Sequence, residues 1–200
     1  MSQRDNEREA RLSKKLGAMS LARLQLKPFC LESVGSTQDY FSAMPDAREG
    51  YFVVSKVQTR GRGRHGRKWI SDEGGLYLSL KLEPSKHVSD RLTRMCADGI
   101  LQTLEDNYSL KKCLIKEPND VICNGKKIAG VLVDVVFKGD KTVAYAGVGV
   151  NLNNGLAWNE ETLQFATSSR LETNMMIELD EFLVALLSNL DKKYSDLASD

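Results

Sequence analysis

The 200-residue chain lacks the features that mark zinc-binding and membrane-spanning proteins. Its only histidines are His65 and His87, and its four cysteines show no CxxC spacing. The sequence therefore predicts no structural zinc site and four reduced, mostly buried thiols. No apolar run approaches the roughly 20 residues that a membrane helix needs. Residues 1–15 are polar and mixed in charge, without the apolar core of a signal peptide. We expect a cytoplasmic protein with no membrane partner.

An excess of one charge is also missing. The 28 lysines and arginines are balanced by 27 aspartates and glutamates, so the net charge is +1. The molecule as a whole is not an electrostatic nucleic-acid binder, we expect no DNA partner, and any cationic function must be local. A hydrophobic fraction of 42% and a charged fraction of 28% are typical of one globular domain.

The order of the predicted elements indicates one α+β domain over residues 27–200. A charged N-terminal arm over residues 1–26, disordered or a lone helix, precedes it. Apolar periodicity predicts strands at 51–57 and 76–82, helices at 89–108 and 179–194, and a helix start capped by Ser36. Between the helices, Asn124-Gly125 and Gly139-Asp140 break a run of strands into hairpins. Strands in runs with separated helices favour a mixed, mostly antiparallel sheet flanked by helices.

The stretch GRGRHGRKW, residues 61–69, places four cations and three glycines between two predicted strands. Glycines let backbone N–H groups approach a phosphate closely, arginines supply forked donors, and Trp69 can cover a planar ring. Ordering the glycines costs entropy and the arginines repel one another, so the empty loop is expected to be mobile. The alternatives are a solvated basic linker and an RG-type RNA-binding tail.

Two further stretches carry polar groups suited to an anionic ligand. In KEPNDV and KKIAG, Asn119 and Asp120 offer hard oxygens for Mg²⁺, and Lys127 can reach a phosphate or carboxylate. The stretch GVGVNLN, residues 147–153, brings small residues and Asn151 to the end of a strand. Each has a plain structural alternative, a turn before a solvated strand for the first and a bulge for the second.

These three stretches, in this order, resemble the biotin protein ligases. GRGRHGRKW looks like the family's GRGRxGRxW loop, and KEPNDV with KKIAGVLVD is similar to its KWPND…K-[IL]-x-G-[IL]-L segment. GVGVNLN matches its G-[IV]-G-[IV]-N strand end, and Gly35-Ser36-Thr37 its early Ser-Thr. The resemblance covers about residues 29–194. It implies the class II aminoacyl-tRNA synthetase-like fold of the biotin and lipoate ligases.

The resemblance also implies a reaction, that of a monofunctional biotin–[acetyl-CoA-carboxylase] ligase. The biotin carboxylate attacks the α-phosphate of ATP and gives biotinyl-5′-AMP and pyrophosphate. A lysine of a biotin carboxyl carrier domain, such as that of acetyl-CoA carboxylase, then attacks the mixed anhydride and releases AMP. The expected ligands are biotin, ATP and Mg²⁺, with no zinc, flavin or nicotinamide.

The same resemblance assigns roles to residues of this chain. Two anions must be brought together, so cations are needed, whereas the neutral ureido ring of biotin needs hydrogen-bonding groups. The catalytic assignments are Arg62, Arg64 and Lys127. The biotin-binding assignments are Ser36, Thr37, Gln58, Gly61, Arg62, Arg64 and Gly130. The ATP-binding assignments are Trp69, Asn119, Lys127 and Asn151, and Asp120 is assigned to Mg²⁺. Ser36 as a helix cap, Trp69 as core and Asn151 as a strand terminator are the structural alternatives.

The chain departs from the family pattern in two ways. Glu117 stands where the family has tryptophan, and it is expected to pair with Lys116 or a loop arginine, or to add a metal ligand, at a cost to nucleotide binding. The chain also leaves no room for a helix-turn-helix domain or a C-terminal SH3-like barrel, so a single-function enzyme, a monomer or weak homodimer, is expected.

Three other functions remain open from the sequence. A lipoate or octanoate ligase or transferase would share the fold. A non-enzymatic RNA-binding module would use the GRGRHGR loop. A protein that holds biotin without adenylating it is suggested by Glu117.

Overall fold

Helices and strands follow one another largely as the sequence pattern predicts. The computed structural model describes residues 2–44, 46–85, 90–108, 110–155 and 157–199. The helices are α1 (Gln3–Gly17), α2 (Thr37–Ser42), α3 (Leu92–Tyr108), α4 (Glu160–Phe165), α5 (Ser169–Thr173) and α6 (Leu179–Ser199). The strands are β1 (Lys27–Val34), β2 (Tyr51–Gln58), β3 (Leu76–Leu82), β4 (Cys113–Lys116), β5 (Asp120–Cys123), β6 (Lys126–Lys138) and β7 (Lys141–Val150). The predicted helix start at Ser89 lies outside the described residues.

Within the described part of the chain, the strands form one seven-stranded sheet in the order β1-β2-β3-β7-β6-β5-β4. β1 pairs with β2 in parallel, and the other neighbouring pairs are antiparallel. The predicted α+β fold with a mixed, mostly antiparallel sheet is therefore confirmed. Asn124-Gly125 joins β5 to β6 with φ of 49° and 81°, the left-handed values that a two-residue hairpin turn requires.

The two faces of the sheet are covered unequally. Alternate residues of a strand point to opposite faces. Phe52 and Val54 of β2 belong to the large core under α1, α3 and α6, whereas Val53 belongs to a small cluster beside α2. The apolar stripe of α6 from Phe182 to Tyr194 is completely buried in the large core, as predicted. Each of these side chains contributes about 2 kcal/mol. The α2 face has far less apolar cover, which leaves space for a cleft.

The N-terminal segment forms a helix that is docked on the body rather than alone. Ser2 and Asp5 make a reciprocal capping box at the start of α1, and Leu12 and Leu16 enter the core. Arg8 of α1 is ion-paired with Asp180 of α6 at 2.7 Å, and both side chains are almost fully buried. The sequence left open whether residues 1–26 are disordered or helical, and the first part of this segment, Gln3–Gly17, is helical.

The four cysteines are free and buried, as the sequence predicts. Burial raises the pKa of Cys30 and of Cys96 to about 12, because the apolar core disfavours a thiolate. None of the helices that the structure describes has both the length and the apolar character needed to cross a bilayer.

Candidate active site

The floor of the cleft is a strip of bare backbone on β6 and β7. Gly130 of β6 pairs with Gly149 of β7, and Leu132 pairs with Gly147 two residues further along. Residues two apart on a strand share a face. Gly147 and Gly149 therefore open the same α2 side of the sheet, while Val148 and Val150 between and after them enter the large core.

Two side chains from other elements fill the space that these glycines leave. A Cβ added at Gly149 would lie 2.6 Å from Cε2 of Trp69, and one at Gly147 would lie 2.4 Å from Oε1 of Gln38. Gly149 faces a rigid ring at this distance, so it needs glycine for close approach rather than for backbone freedom. At Gly147 a Cβ would require the Gln38 amide to move. Trp69 thus lies directly on the cleft floor, and its buried indole N–H has no hydrogen-bond partner in the described part of the chain.

The basic loop forms a short hairpin between β2 and β3. Its backbone is closed by Trp69 N–H donating to Gly61 O at 2.9 Å and Gly63 N–H donating to Arg67 O at 2.7 Å, with a 3₁₀ turn at Arg64–Gly66. The predicted position between two strands is confirmed. The sequence predicted that the loop is mobile without a ligand, but these backbone hydrogen bonds order it in part by themselves.

Uncharged hydrogen-bonding groups gather where α2 begins. Ser36 caps α2, its Oγ accepting from Asp39 N–H at 3.4 Å, so the helix-cap role is present alongside the proposed ligand role. Thr37 donates to Gln58 Oε1 twice, from its backbone N–H at 2.8 Å and from its hydroxyl at 3.0 Å. The Thr37 hydroxyl also lies 2.9 Å from that of Ser79, the β3 residue opposite Gly147.

The two loop arginines are held by different partners. Arg62 forms ion pairs with Asp39 of α2 and with Asp134 of β6, the second at 3.1 Å. Partial burial lowers the pKa of Arg62, but hydrogen bonds and charge attraction from these two carboxylates outweigh it and raise the pKa above its ordinary value. Arg64 donates from Nη1 to Asn119 Oδ1 at 2.9 Å. Arg64 is thereby aimed at the start of β5, where Lys127 also lies.

A β-bulge places Lys127 on the cleft face. Val121 of β5 pairs with Ala129, but the next residue, Ile122, pairs with Lys127, so β6 has one extra residue at this point. A bulge of this kind re-aims a side chain, and here it turns Lys127 to the same face as Gly130. Its ammonium lies 5.1 Å from the ring centroid of Trp69, a cation–π distance.

Lys127 is also ion-paired with Asp120 at 2.6 Å. That Asp120 oxygen is buried and accepts no hydrogen bond of good geometry, so the contact is a charge pair. Within the described residues, no three acidic, histidine or cysteine side chains cluster closely enough to hold a metal ion. One carboxylate already paired with a lysine does not fit a magnesium site built by the protein alone.

The two candidate asparagines have their amides committed to the fold. Asn119 donates to Val131 O at 3.1 Å while it accepts from Arg64. Asn151 is 4% exposed and donates to Thr167 O at 3.0 Å, which ties the end of β7 to the segment before α5. Both therefore shape the cleft wall, and the strand-terminating role considered for Asn151 is present.

Most of the predicted site residues line one cavity of about 260 Å³. They are Ser36, Thr37, Gln58, Arg62, Arg64, Trp69, Asn119, Lys127, Gly130 and Asn151. Two do not line it. Gly61 packs against Ser71, whose Oγ would lie 2.6 Å from a Cβ there, and Asp120 reaches the cavity only through Lys127.

The pairing partners expected for Glu117 are wrong. Its side chain is 61% exposed and pairs with Arg94 of α3 rather than with Lys116 or a loop arginine, and it joins no metal cluster. β4 packs beside α3, which brings Glu117 within reach of Arg94, and Glu117 does not line the cavity.

Sequence reasoning missed two parts of the wall. Gln38 lies on Gly147 and donates to the backbone carbonyls of Leu132 and Tyr145 at 3.2 and 3.0 Å. Trp158 and α4 form the opposite wall, with the Trp158 indole N–H donating to Asp72 at 3.1 Å. Gln38 follows the Ser-Thr pair directly and could have been included on that ground, whereas the Trp158 segment carries no motif.

Comparison with known proteins agrees with this geometry. The model of the Biotin/lipoate A/B protein ligase family matches residues 31–151. The chain therefore belongs to that family.

Two curated relatives illustrate the similarity to biotin ligases. The Bifunctional ligase/repressor BirA of Bacillus subtilis (strain 168) is 33% identical over 156 residues, which cover 76% of this chain and 48% of the relative. The Biotin--[acetyl-CoA-carboxylase] ligase of Paracoccus denitrificans is 34% identical over 105 residues, covering 50% of this chain and 44% of the relative. The chain thus spans about half the length of the curated relatives it matches.

Among solved structures, the biotin protein ligase from Aquifex aeolicus in complex with biotin and ATP superposes with a TM-score of 0.76 at 30% identity. The match covers 86% of this chain and 72% of that one. The predicted membership of the biotin protein ligases is confirmed.

Proposed function

We propose that this chain attaches biotin to a lysine of a biotin carboxyl carrier domain, with ATP consumed through a biotinyl-5′-AMP intermediate. The observation that carries the proposal is the composition of this cavity. Thr37 and Gln58 lie beside Ser79 at the level of Gly147, where Arg62 is neutralised by its ion pairs with Asp39 and Asp134. Lys127 lies against Trp69 at the level of Gly149, about 7 Å further along the sheet, and Arg64 is held nearby by Asn119. A ligand with a neutral polar head and an anionic tail suits this division.

In the first step, Thr37 and Gln58 bind the ureido ring of biotin and so direct its carboxylate toward Arg64 and Lys127. A carboxylate oxygen forms a bond to the α-phosphorus of ATP, and the bond from that phosphorus to the bridging oxygen breaks, which releases pyrophosphate. The two cations offset the repulsion between carboxylate and phosphate and stabilise charge that develops on the phosphoryl oxygens. Each needs to leave its present partner, Asn119 or Asp120, at least in part.

Trp69 and the loop hairpin serve to exclude water from the product. A mixed anhydride hydrolyses readily, so a cover that keeps water away raises the yield of transfer. In the second step, the neutral amine of the carrier lysine attacks the biotinyl carbonyl carbon, the bond to the AMP oxygen breaks, and the lysine loses a proton. AMP leaves with the bonding electrons, and biotin ends in an amide bond.

Magnesium at Asp120 stays a prediction. Asp120 supplies a carboxylate that is paired with Lys127, and among the described residues it belongs to no group of three or more potential metal ligands. The proposed reaction therefore assigns no step to a protein-bound ion. Magnesium enters the assays as the ordinary counter-ion of ATP.

Isotope exchange tests the proposal. The full chain is incubated with biotin, MgATP and labelled pyrophosphate, with a parallel reaction that omits biotin. We expect label to enter ATP only when biotin is present, because exchange requires reversible formation of the adenylate. An absence of exchange at micromolar enzyme would contradict the adenylation step.

The same cavity distinguishes a biotin ligase from a lipoate ligase. A dithiolane ring has no hydrogen-bonding group to meet Thr37 and Gln58, whereas a ureido ring does. Biotin should raise the melting temperature of the chain and lipoate should not. The RNA alternative predicts salt-sensitive RNA binding that Arg62→Ala and Arg64→Ala abolish.

A further inference from the structure

Ser71 belongs to the proposed site although it does not line the cavity. It is 4% exposed and lies behind Gln58, two residues after Trp69. Its hydroxyl makes two bonds: Gln58 Nε2 donates to Ser71 Oγ at 2.9 Å, and Ser71 Oγ donates to Trp69 O at 3.2 Å. One buried hydroxyl thus joins a cavity amide to the backbone of the basic hairpin.

The orientation of the Gln58 amide is determined at the two ends of this chain of bonds. The carbonyl of Trp69 can only accept, so the Ser71 proton is committed to it and Ser71 Oγ must accept from Gln58. At the other end, the backbone N–H of Thr37 can only donate, so Gln58 must present its oxygen there. If the Gln58 amide were flipped, its NH2 group would face the donating N–H of Thr37. Its oxygen would then face the Ser71 hydroxyl, whose proton is already donated to Trp69 O.

This direction decides what the cavity offers to a ligand. The Thr37 hydroxyl donates to Gln58 Oε1 at 3.0 Å and shares a 2.9 Å bond with the Ser79 hydroxyl in which either oxygen can donate. With its proton on Gln58, Thr37 Oγ1 keeps a lone pair for another donor. The second N–H of the Gln58 amide has no partner within the described residues. An acceptor and a donor therefore stand side by side, the complement of one N–H and the C=O of a ureido group.

We propose that Ser71 is a positioning residue that holds Gln58 in the orientation required to recognise a ureido ring and links that orientation to the hairpin at Trp69. The inference rests on the proposed biotin-binding function. The backbone bond from Gln58 N–H to Ser71 O, at 3.2 Å, and that from Trp69 N–H to Gly61 O do not involve the hydroxyl. Loss of the hydroxyl should therefore affect recognition more than the course of the backbone.

The chain offers a matched control in Ser55. It is 2% exposed in β2, and its hydroxyl donates to the backbone carbonyl of Val57 at 2.8 Å. Ser55→Ala also removes a buried hydroxyl, but from β2 and without touching the Gln58 amide. It separates a general loss of stability from a specific loss of recognition.

The experiment compares wild type, Ser71→Ala, Ser71→Thr and Ser55→Ala by calorimetric titration with biotin and by the KM values for biotin and ATP in isotope exchange. Ser71→Ala should weaken biotin binding on the order of tenfold, because a buried donor loses its acceptor. The KM for ATP should change by less than about threefold. Ser71→Thr, which keeps the hydroxyl, should restore biotin affinity. Ser55→Ala should lower the melting temperature without changing the KM for biotin.

The proposal is overturned if Ser71→Ala and Ser55→Ala behave alike, if both KM values rise equally, or if Ser71→Thr fails to restore affinity. Should Ser71→Ala not fold, Ser71→Cys fills the same space with a weak hydrogen-bonding group and is expected to show the same loss. Wild type that binds biotin without exchange would refute adenylation, while the titrations would still decide the role of Ser71. Wild type that does not bind biotin would overturn both.

Discussion

Alanine at position 149 should displace Trp69 from the cleft floor. The new Cβ would lie 2.6 Å from Cε2, 2.7 Å from Nε1 and 2.9 Å from Cζ2 of the indole. Ordinary carbon contacts begin near 3.5 Å, so the rigid ring must move by about 1 Å. Gly149 lies in β7 without a positive φ, so the backbone tolerates alanine and the clash is the whole perturbation. Overpacking of this size costs about 1–3 kcal/mol.

The effect should fall on the nucleotide half of the reaction. Trp69 is the residue proposed to cover the adenine, so Gly149→Ala should raise the KM for ATP about tenfold and change the KM for biotin much less. Gly130→Ala should be milder, since its Cβ would lie 3.0 Å from the ring edge. Gly17→Ala, where the new Cβ would meet no tertiary neighbour within 4 Å, is the control and should leave both KM values unchanged.

The assays are isotope exchange for the two KM values and thermal unfolding for stability. A double variant, Trp69→Ala with Gly149→Ala, adds a sharper check. The clash disappears with the indole, so the second substitution should cost almost nothing in the Trp69→Ala background. A Gly149→Ala variant with wild-type stability and an unchanged KM for ATP would refute the placement of Trp69.

Three further outcomes follow from the structure. Lys127→Ala should slow adenylation by about 100-fold or more and change biotin affinity less than about threefold, since a neutral ureido ring needs no ammonium; equal losses in exchange rate and calorimetric affinity would contradict the assignment. Arg8→Ala leaves Asp180 buried without its cation and should lower the free energy of unfolding in urea by about 3 kcal/mol; an unchanged urea midpoint would refute this. Burial raises the pKa of Cys30 and Cys96 to about 12 from 9.0, so the unfolded state loses these protons first. Their contribution to stability is complete below pH 9 and is lost as the pH rises toward 12, by roughly 1 kcal/mol per pH unit for each thiol. The prediction would be refuted if the free energy of unfolding in urea changed with pH over this range to the same extent in wild type and in the double variant Cys30→Ala, Cys96→Ala.

The fold was predictable where the signal is local. The hairpin turn at Asn124-Gly125, the strand at 76–82 and the apolar stripe of α6 all depend on residues near one another in sequence, and all three are confirmed. The apolar–polar alternation at 76–82 predicts a half-buried strand, and this part is wrong, because every residue of the strand except Lys81 is buried. Helix α1 was left undecided because its apolar residues, Leu12 and Leu16, are few among charges. It is held by the burial of these two leucines and by a long-range pair between Arg8 and Asp180, which no local pattern reveals.

The candidate site shows the same division. The motifs identified which side chains belong together, because glycines, cations and amides at those spacings suit an adenylate. They could not show that Trp69 lies on Gly149, since that depends on the adjacency of β6 and β7 and on the path of the hairpin. The placement of Glu117 failed for a related reason, since its partner Arg94 lies on a helix 23 residues away in sequence.

The most direct measurement of the central claim is native mass spectrometry of the chain after mixing with biotin and MgATP in the absence of any carrier domain. The division of the cavity into a neutral end and a cationic end predicts one biotinyl-5′-AMP retained per chain. It also predicts retained biotin but no adenylate in Arg64→Ala. The account would be contradicted if Arg64→Ala formed as much adenylate as wild type. It would also be contradicted if both proteins bound biotin and neither formed adenylate.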